Sequence, residues 1–198
     1  MNKDISTTTK IKSIQLDLAD SMTRYAVWPA PTIIVSDGPY GLGIFPGEPQ
    51  IATALAEWYE PHISEWAKYA LPETTLWFWC KAFITAEQWE HMRAKWNHMH
   101  SFTNVWSEPA VRGDERIKDN KARIVHANQK PLRLIERIIT ASSDPEDVVW
   151  EPFGGLCSAA VTSLRTNRHC FSAESNPDYY TLARTRLLQE GATTLWEA

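Results

Sequence analysis

The last third of the chain leaves little freedom in what it can fold into. From Val148 to Leu188 short apolar runs alternate with helical stretches, and each change is marked by turn residues. Val148 to Trp150 predicts a buried strand, and a helix of small residues follows from Cys157 to Arg165. His169 to Ala173 predicts the next strand, and Asn176 or Asp178 is placed to cap a helix ending at Leu188. Two strands joined through a helix of this length pair in parallel. The expectation is an α/β fold with a mostly parallel, twisted sheet and helices on both faces. Sheets of this kind take ligands at the carboxyl ends of their strands. The turns after Val35 and Trp150, and the strand end near Ala173, are therefore where function is sought.

The rest of the chain fits that plan. Thr32 to Val35 is a β-branched run stopped by Ser36-Asp37-Gly38-Pro39. Apolar residues recur at helical spacing from Ile51 to Leu71, where Pro61 is expected to divide the region into two helices. Thr74 to Cys80 predicts a strand, Thr85 to His98 an amphipathic helix and Ser101 to Trp106 a further strand. Glu108 to Ala127 is polar and irregular. Pro131 to Thr140 predicts a helix with proline in its first turn and Leu132, Leu134, Ile135, Ile138 and Ile139 on its apolar side. The glycine- and proline-rich stretch from Leu42 to Gln50 reads either as a lid or as a connector.

Two segments carry chemistry. The first runs from Asp147 through Glu151-Pro-Phe-Gly-Gly155 into a helix. Paired glycines let a backbone approach a ligand closely, and the helix behind them offers free N–H groups. Some twenty residues on, a strand ends in Ala173-Glu174, where a carboxylate can accept hydrogen bonds from both ribose hydroxyls of a nucleoside. Neither the dinucleotide fingerprint nor a phosphate loop is complete, which suits a nucleoside cofactor without phosphates; a purely structural turn is the other reading. The second segment is Asp37-Gly-Pro-Tyr40. An exocyclic base amine is a poor nucleophile because its lone pair is delocalised into the ring. A carboxylate and a backbone carbonyl that each accept one N–H would favour a pyramidal nitrogen, and Tyr40 is suited to stack on an extruded base. The same string also serves as an ordinary turn.

Taken with His126-Ala-Asn-Gln-Lys-Pro131, these segments resemble the amino-methylating DNA methyltransferases, in the order of that family's β group. The likeness runs from about Thr32 to Leu188. It extends to Arg168, Glu174, Pro177, Tyr179 and Arg186, is looser over Trp66 to Trp79 and Val105 to Pro109, and is poor over residues 110–125. It implies a single Rossmann-like methyltransferase domain over residues 1–198. A catalytic half would occupy 32–109, a short variable loop 110–125, and a cofactor-binding half 126–188. It implies S-adenosylmethionine as cofactor and the N6 amino group of adenine in DNA, flipped from the duplex, as target. Asp37, Pro39 and Tyr40 would form the target-amine site, with Asp37 also near the cofactor's amino-acid part. Lys130 would bind the cofactor's carboxylate end, and His126 and Pro131 would shape that loop. Glu151, Phe153, Gly154 and Gly155 would line the cofactor, and Glu174 would hold its ribose.

The chain also departs from the family. Gly38 stands where a proline is usual, Cys157 where a glycine is usual, and Glu151 where an aspartate is usual. No target recognition domain is evident, so specificity is expected from loops, from a homodimer or from a DNA-recognising partner. The acidic first residue of the tetrapeptide favours adenine over N4 of cytosine, although Ser36 allows a shifted alignment. An RNA or glutamine-amide substrate fits the segment order less well, and a cofactor-binding subunit without activity of its own stays open. Restriction–modification, phage-borne protection and regulatory methylation are equally compatible roles.

Bulk properties qualify this picture. Over 198 residues the formal net charge is −4, which does not suit DNA binding by overall charge. Contact would have to come from a local patch, and Lys118, Lys121, Arg123, Lys130 and Arg133 form the densest basic run. Cys80, Cys157 and Cys170 show no paired spacing and read as buried, reduced thiols, and most of the ten tryptophans read as core. His91, His98 and His100 complete no recognisable metal set. With no secretory or membrane-spanning segment in the sequence, the expected location is the cytoplasm.

Overall fold

The computed structural model describes residues 13–41, 43, 52–79, 109, 111–118, 121–126 and 128–193. Its frame is a five-stranded sheet in the order β1-β5-β4-β2-β3, with every pair parallel. The strands are β1 (Ile14–Leu18), β2 (Ile33–Ser36), β3 (Thr75–Phe78), β4 (Val148–Glu151) and β5 (His169–Glu174). The helices are α1 (Ala52–Tyr69), α2 (Leu132–Ser142), α3 (Ser158–Arg165) and α4 (Pro177–Gln189). Four of the strands and helices α2, α3 and α4 fall where the residue pattern places them, and α1 fills the region read as two helices. β1 went unread in the sequence; it pairs with β5 from Ile14–Cys170 to Leu18–Glu174.

Alternation along each strand builds two cores. Ile33, Val35, Val149 and Cys170 point to the face covered by α2, α3 and α4, where they meet Ile135, Ile138, Ile139, Ala160 and Leu187. Ile34, Trp150 and Ala173 point to the opposite face, where Leu55, Tyr59 and Trp66 of α1 join Tyr25 and Trp28. The second core is aromatic. Tyr25 stacks on Trp150 at 5.4 Å between ring centroids and 15° between planes, and the Trp150 indole N–H donates to the Pro29 carbonyl at 2.8 Å. Asp17, only 1% exposed, accepts from the Trp28 indole at 3.1 Å and so ties the loop after β1 to the sheet.

Pro61 does not divide the region into two helices, which corrects the expectation above. α1 runs unbroken through it. Leu55, Tyr59, His62 and Trp66 are buried at helical spacing, while Glu57, Glu60 and Pro61 are exposed. The backbone bond that proline removes therefore lies on the water side, and the aromatic face holds the helix on the sheet. Cys157 precedes α3 as its cap rather than opening the helix. The readings made for Thr85 to His98, Ser101 to Trp106 and Leu42 to Gln50, and for Cys80, His91, His98 and His100, lie outside the described residues. So does most of the loosely matching stretch from Val105 to Pro109.

Trp150 is fully buried between its partners. Trp150→Ala is expected to lower the unfolding free energy by about 3–5 kcal/mol in urea titrations. A loss below about 1 kcal/mol would mean that the aromatic layer is not a close-packed core.

Candidate active site at the carboxyl edge of the sheet

Because all the strand pairs are parallel, β2, β4 and β5 end on one edge, and a cleft of about 510 Å³ opens there. Its walls include Asp37, Gly38 and Pro39 after β2, Pro152, Phe153 and Gly155 after β4, and Glu174 to Pro177 after β5. His126 and Tyr179 close one side, with ring centroids 4.9 Å apart. A smaller adjoining recess is lined by Asp37, His126, Lys130, Glu151, Phe153, Gly154 and Gly155 among others. The sites expected from the two halves of the sequence thus meet in one place. Pro131 stands apart as the cap residue of α2.

Asp37 is the hinge between the two halves. Lys130 Nζ donates to its Oδ1 at 2.5 Å and to the Tyr40 hydroxyl at 2.7 Å, and the Tyr40 hydroxyl in turn donates to Asp37. The ammonium also lies 5.2 Å from the Tyr40 ring centroid. A carboxylate, a phenol and an ammonium thus form one polar knot, 93 residues apart in sequence between Asp37 and Lys130. Ser36, by contrast, is wholly buried in β2. It is therefore Asp37, and not its neighbour, that the strand delivers to the cleft.

The turn after β4 is held by buried polar groups. Gly154 N–H donates to the Ala173 carbonyl at 2.8 Å, and a methyl group on Gly154 would come within 2.7 Å of Ser172 Oγ. Gly155 has φ +52°, and its N–H donates to Glu174 Oε2 at 2.6 Å. Cys157, at φ 56° and ψ 48°, takes the left-handed conformation in which a glycine costs least. The departure noted in sequence is therefore a strained backbone position. Its thiol, like that of Cys170, is buried, and burial pushes both well above the ordinary range. The Arg186 guanidinium donates to the Leu156 carbonyl at 2.8 Å and braces the loop from α4.

The two carboxylates of this half play different parts. Glu174 accepts from the Gly155 and Asn176 N–H groups at 2.6 and 2.7 Å, burial raises its pKa, and it lines the main cleft. A carboxylate has about four acceptor positions, so two backbone donors leave room for a ligand's hydroxyls. Glu151 is turned inward. It accepts from the Ala159 and Ala160 N–H groups at 2.8 and 3.1 Å, and from Ser172 Oγ at 3.1 Å, capping α3. Burial outweighs those bonds and pushes its carboxyl up to about 7.

Residue reasoning passed over part of the cleft. Ala19, Asp20 and Ser21 reach it from the end of β1, and Trp58 and His62 from α1. His62 pairs through Nδ1 with the Tyr25 hydroxyl at 2.9 Å, and burial holds it down to about 4. The alternation of Ile14, Leu16 and Leu18 ahead of Asp20 is the signal that would have exposed the first group. Nothing in the spacing distinguishes Trp58 and His62 from core.

A family model described as DNA methylase matches residues 84–185, just over half of the chain. The chain is 36% identical over 84 residues to the Type II methyltransferase M.HinfI of Haemophilus influenzae, a match covering 42% of this chain and 23% of that protein. It is 35% identical over 92 residues to the DNA adenine methyltransferase YhdJ of Escherichia coli K12, covering 46% and 30% respectively. Each match thus spans less than a third of the relative's length. Among solved structures, the PvuII DNA methyltransferase (cytosine-N4-specific) aligns with TM-score 0.65 at 14% identity, over 89% of this chain and 87% of that one. The M1.HpyAVI–SAM complex aligns with TM-score 0.57 at 19% identity, over 88% of this chain and 100% of that one. At such identities the structural likeness speaks for the fold.

Glu151 supplies a prediction about pH. The folded carboxyl keeps its proton up to about pH 7, whereas the unfolded one releases it near 4.5. Between those values the folded state binds the extra proton, so this contribution is complete below 4.5 and is lost as pH rises through 7. Relative to Glu151→Gln, the wild type should lose stability across that window by at most about 1.4 kcal/mol per pH unit. Parallel pH profiles of the two proteins in urea unfolding would count against this protonation.

Proposed function

This chain belongs to the DNA methylase family, and on that premise we propose that it transfers a methyl group from S-adenosylmethionine to the N6 amino group of adenine in DNA. The observation that carries the reading is that the Asp37 turn and the Glu174 carboxylate line one cleft at the carboxyl edge of the sheet. A nucleoside cofactor fits what is there. The cleft has the size of a small-molecule site, and Glu174 keeps acceptor capacity for ribose hydroxyls. The Gly155 backbone is bare toward the cleft, where a methyl group would come within 3.3 Å of the His126 ring.

In this proposal Glu174 and Gly155 hold the nucleoside end, with Phe153, Gly154 and Tyr179 around it, and Lys130, supported by His126 and Pro131, meets the amino-acid carboxylate. Glu151 acts from behind, through the α3 N-terminus that it caps. When bound, S-adenosylmethionine supplies an electrophilic methyl group on a sulfonium. Asp37 accepts one N–H of the target amine and a carbonyl of the Gly38-Pro39 turn accepts the other, which sharpens the nitrogen lone pair. The amine nitrogen would take the methyl group as its bond to the cofactor's sulfur is given up, and Asp37 or water would take the proton that the amine sheds. Tyr40 leaves its bonds to Lys130 and Asp37 to stack on the extruded base. Adenine is preferred over cytosine because Asp37 opens the tetrapeptide and because the relative bearing adenine in its name is 35% identical.

The DNA contact is assigned to the strip from Val111 to Val125. It folds back on itself through a Lys118–Ile124 bridge, with Arg112, Lys118, Lys121 and Arg123 exposed. Gln129 ties the strip to the cofactor loop by accepting from Ile117 N–H at 3.0 Å and donating to the Glu115 carbonyl at 2.7 Å. In a chain of net charge −4, this strip offers the charge that a phosphate backbone requires. A second copy of the chain or a recognition partner would add sequence specificity. A single methyltransferase domain, with its halves at 32–109 and 126–188, and a cytoplasmic location belong to the same proposal; no helix among the described residues is long and apolar enough to cross a membrane.

The test is to incubate unmethylated DNA with the protein and labelled S-adenosylmethionine, digest to nucleosides and identify the labelled one by mass spectrometry. N6-methyl-2′-deoxyadenosine is expected. Labelled N4-methyl-2′-deoxycytidine would move the target to cytosine, and no labelled nucleoside from a preparation that binds the cofactor would point to a partner-dependent subunit. Asp37→Ala should abolish transfer while cofactor binding survives. In duplex-binding titrations against salt, the combined Lys118→Ala, Lys121→Ala and Arg123→Ala protein should show a slope shallower by about 1–3, each lost phosphate contact accounting for about 0.9. An unchanged slope would place the DNA contact elsewhere.

A further inference from the structure

Gly38 lacks the ring that a proline would give the turn, and the structure puts something else in that volume. A Cβ built on Gly38 would lie 2.3 Å from the Tyr59 hydroxyl and 2.6 Å from Phe153 Cδ2. Tyr59 comes from the middle of α1 and is fully buried. Its ring is fixed edge-on against Phe78 at 4.7 Å, Trp58 at 4.8 Å and Phe153 at 6.0 Å. From there its hydroxyl donates to the Pro39 carbonyl at 3.1 Å. A buried phenol normally needs such a partner, and here the partner is the backbone of the turn itself.

We propose that Tyr59 is a positioning residue for methyl transfer, holding the Asp37–Tyr40 turn from α1 in place of the missing proline. The proposal rests on the reading of the site given above. Gly38 and Tyr59 form a matched pair: the hydroxyl reaches the turn because residue 38 has no side chain, and its bond adds a restraint on the backbone to the side-chain knot of Asp37, Tyr40 and Lys130. The hydrogen bond fixes the orientation of the Pro39 peptide and, with it, the register of Asp37 and the neighbouring carbonyls toward the amine. α1 is a rigid support for this task, since its aromatic face is locked onto the sheet and its proline faces water.

The test is Tyr59→Phe, which keeps the ring and removes only the hydroxyl. Three quantities are read: kcat for methyl transfer, the Kd for S-adenosylmethionine, and deuterium exchange of the peptide spanning residues 36–41. The expected result is a fall in kcat of about tenfold, as one degree of positioning is lost. Cofactor Kd and thermal midpoint should be nearly unchanged, with faster exchange confined to that peptide. Gly38→Ala should cost more in the wild type than in Tyr59→Phe, because only the wild type sets the new methyl group against the hydroxyl. Unchanged kcat and exchange in Tyr59→Phe would overturn the proposal, as would a joint loss of kcat, cofactor affinity and thermal midpoint, which would make Tyr59 ordinary core. A wild type that binds cofactor but transfers no methyl group would refute the proposed function instead. The exchange measurement would still decide whether Tyr59 holds the turn.

Discussion

What this molecule can do at its cleft depends on one constraint: its five described strands run in one direction. Parallel pairing forbids tight hairpins between neighbours, so each strand leaves the sheet at its carboxyl end and the chain crosses back before the next one. The loops after β2, β4 and β5 are thereby gathered on a single edge although Asp37 and Glu174 are far apart in the chain. A carboxylate beside a proline turn and a carboxylate beside a glycine turn become walls of the same space. Lys130, arriving just ahead of α2, joins them through its ion pair with Asp37.

The edge keeps its shape because buried polar groups are spent on its backbone. Glu151 caps α3, Arg186 holds the Leu156 carbonyl, Glu174 takes the Gly155 and Asn176 N–H groups, and Tyr59 takes the Pro39 carbonyl. Each would be costly to bury unpaired, and each pairs with a loop or a helix end on this edge. Cys157 shows the strain this arrangement tolerates: a residue with a side chain sits in the left-handed region directly before α3.

Much of this could be read from the residues. The alternation after Val148 and the acid at the end of each strand are local signals, and the structure places Glu151 and Glu174 at those strand ends. What escaped notice depends on contacts distant in sequence. β1 is a short edge strand with a charged residue, Asp17, pointing inward, and the Trp28 indole that pairs with it lies eleven residues on, in the loop that follows. Pro61 looked like a break because local propensity says so, while the aromatic burial that overrides it is tertiary. Gly38 stood out in the sequence only as a departure from the family's proline, because the group that fills its space comes from α1. Tyr59 in isolation is one more aromatic residue on an apolar helix face, and only packing reveals its hydroxyl as part of the turn.

On the function proposed above, the Glu174 side of this cleft anchors the cofactor and the Asp37 side holds the target amine against it. The most direct measurement is calorimetric titration of S-adenosylmethionine into the wild type and into Glu174→Ala, with thermal midpoints taken alongside. Saturable one-to-one binding to the wild type is expected, with affinity at least about tenfold weaker in the variant, because a carboxylate that accepts from ligand hydroxyls has been removed. Equal affinity in two equally folded proteins would contradict it, and would move the cofactor out of the cleft.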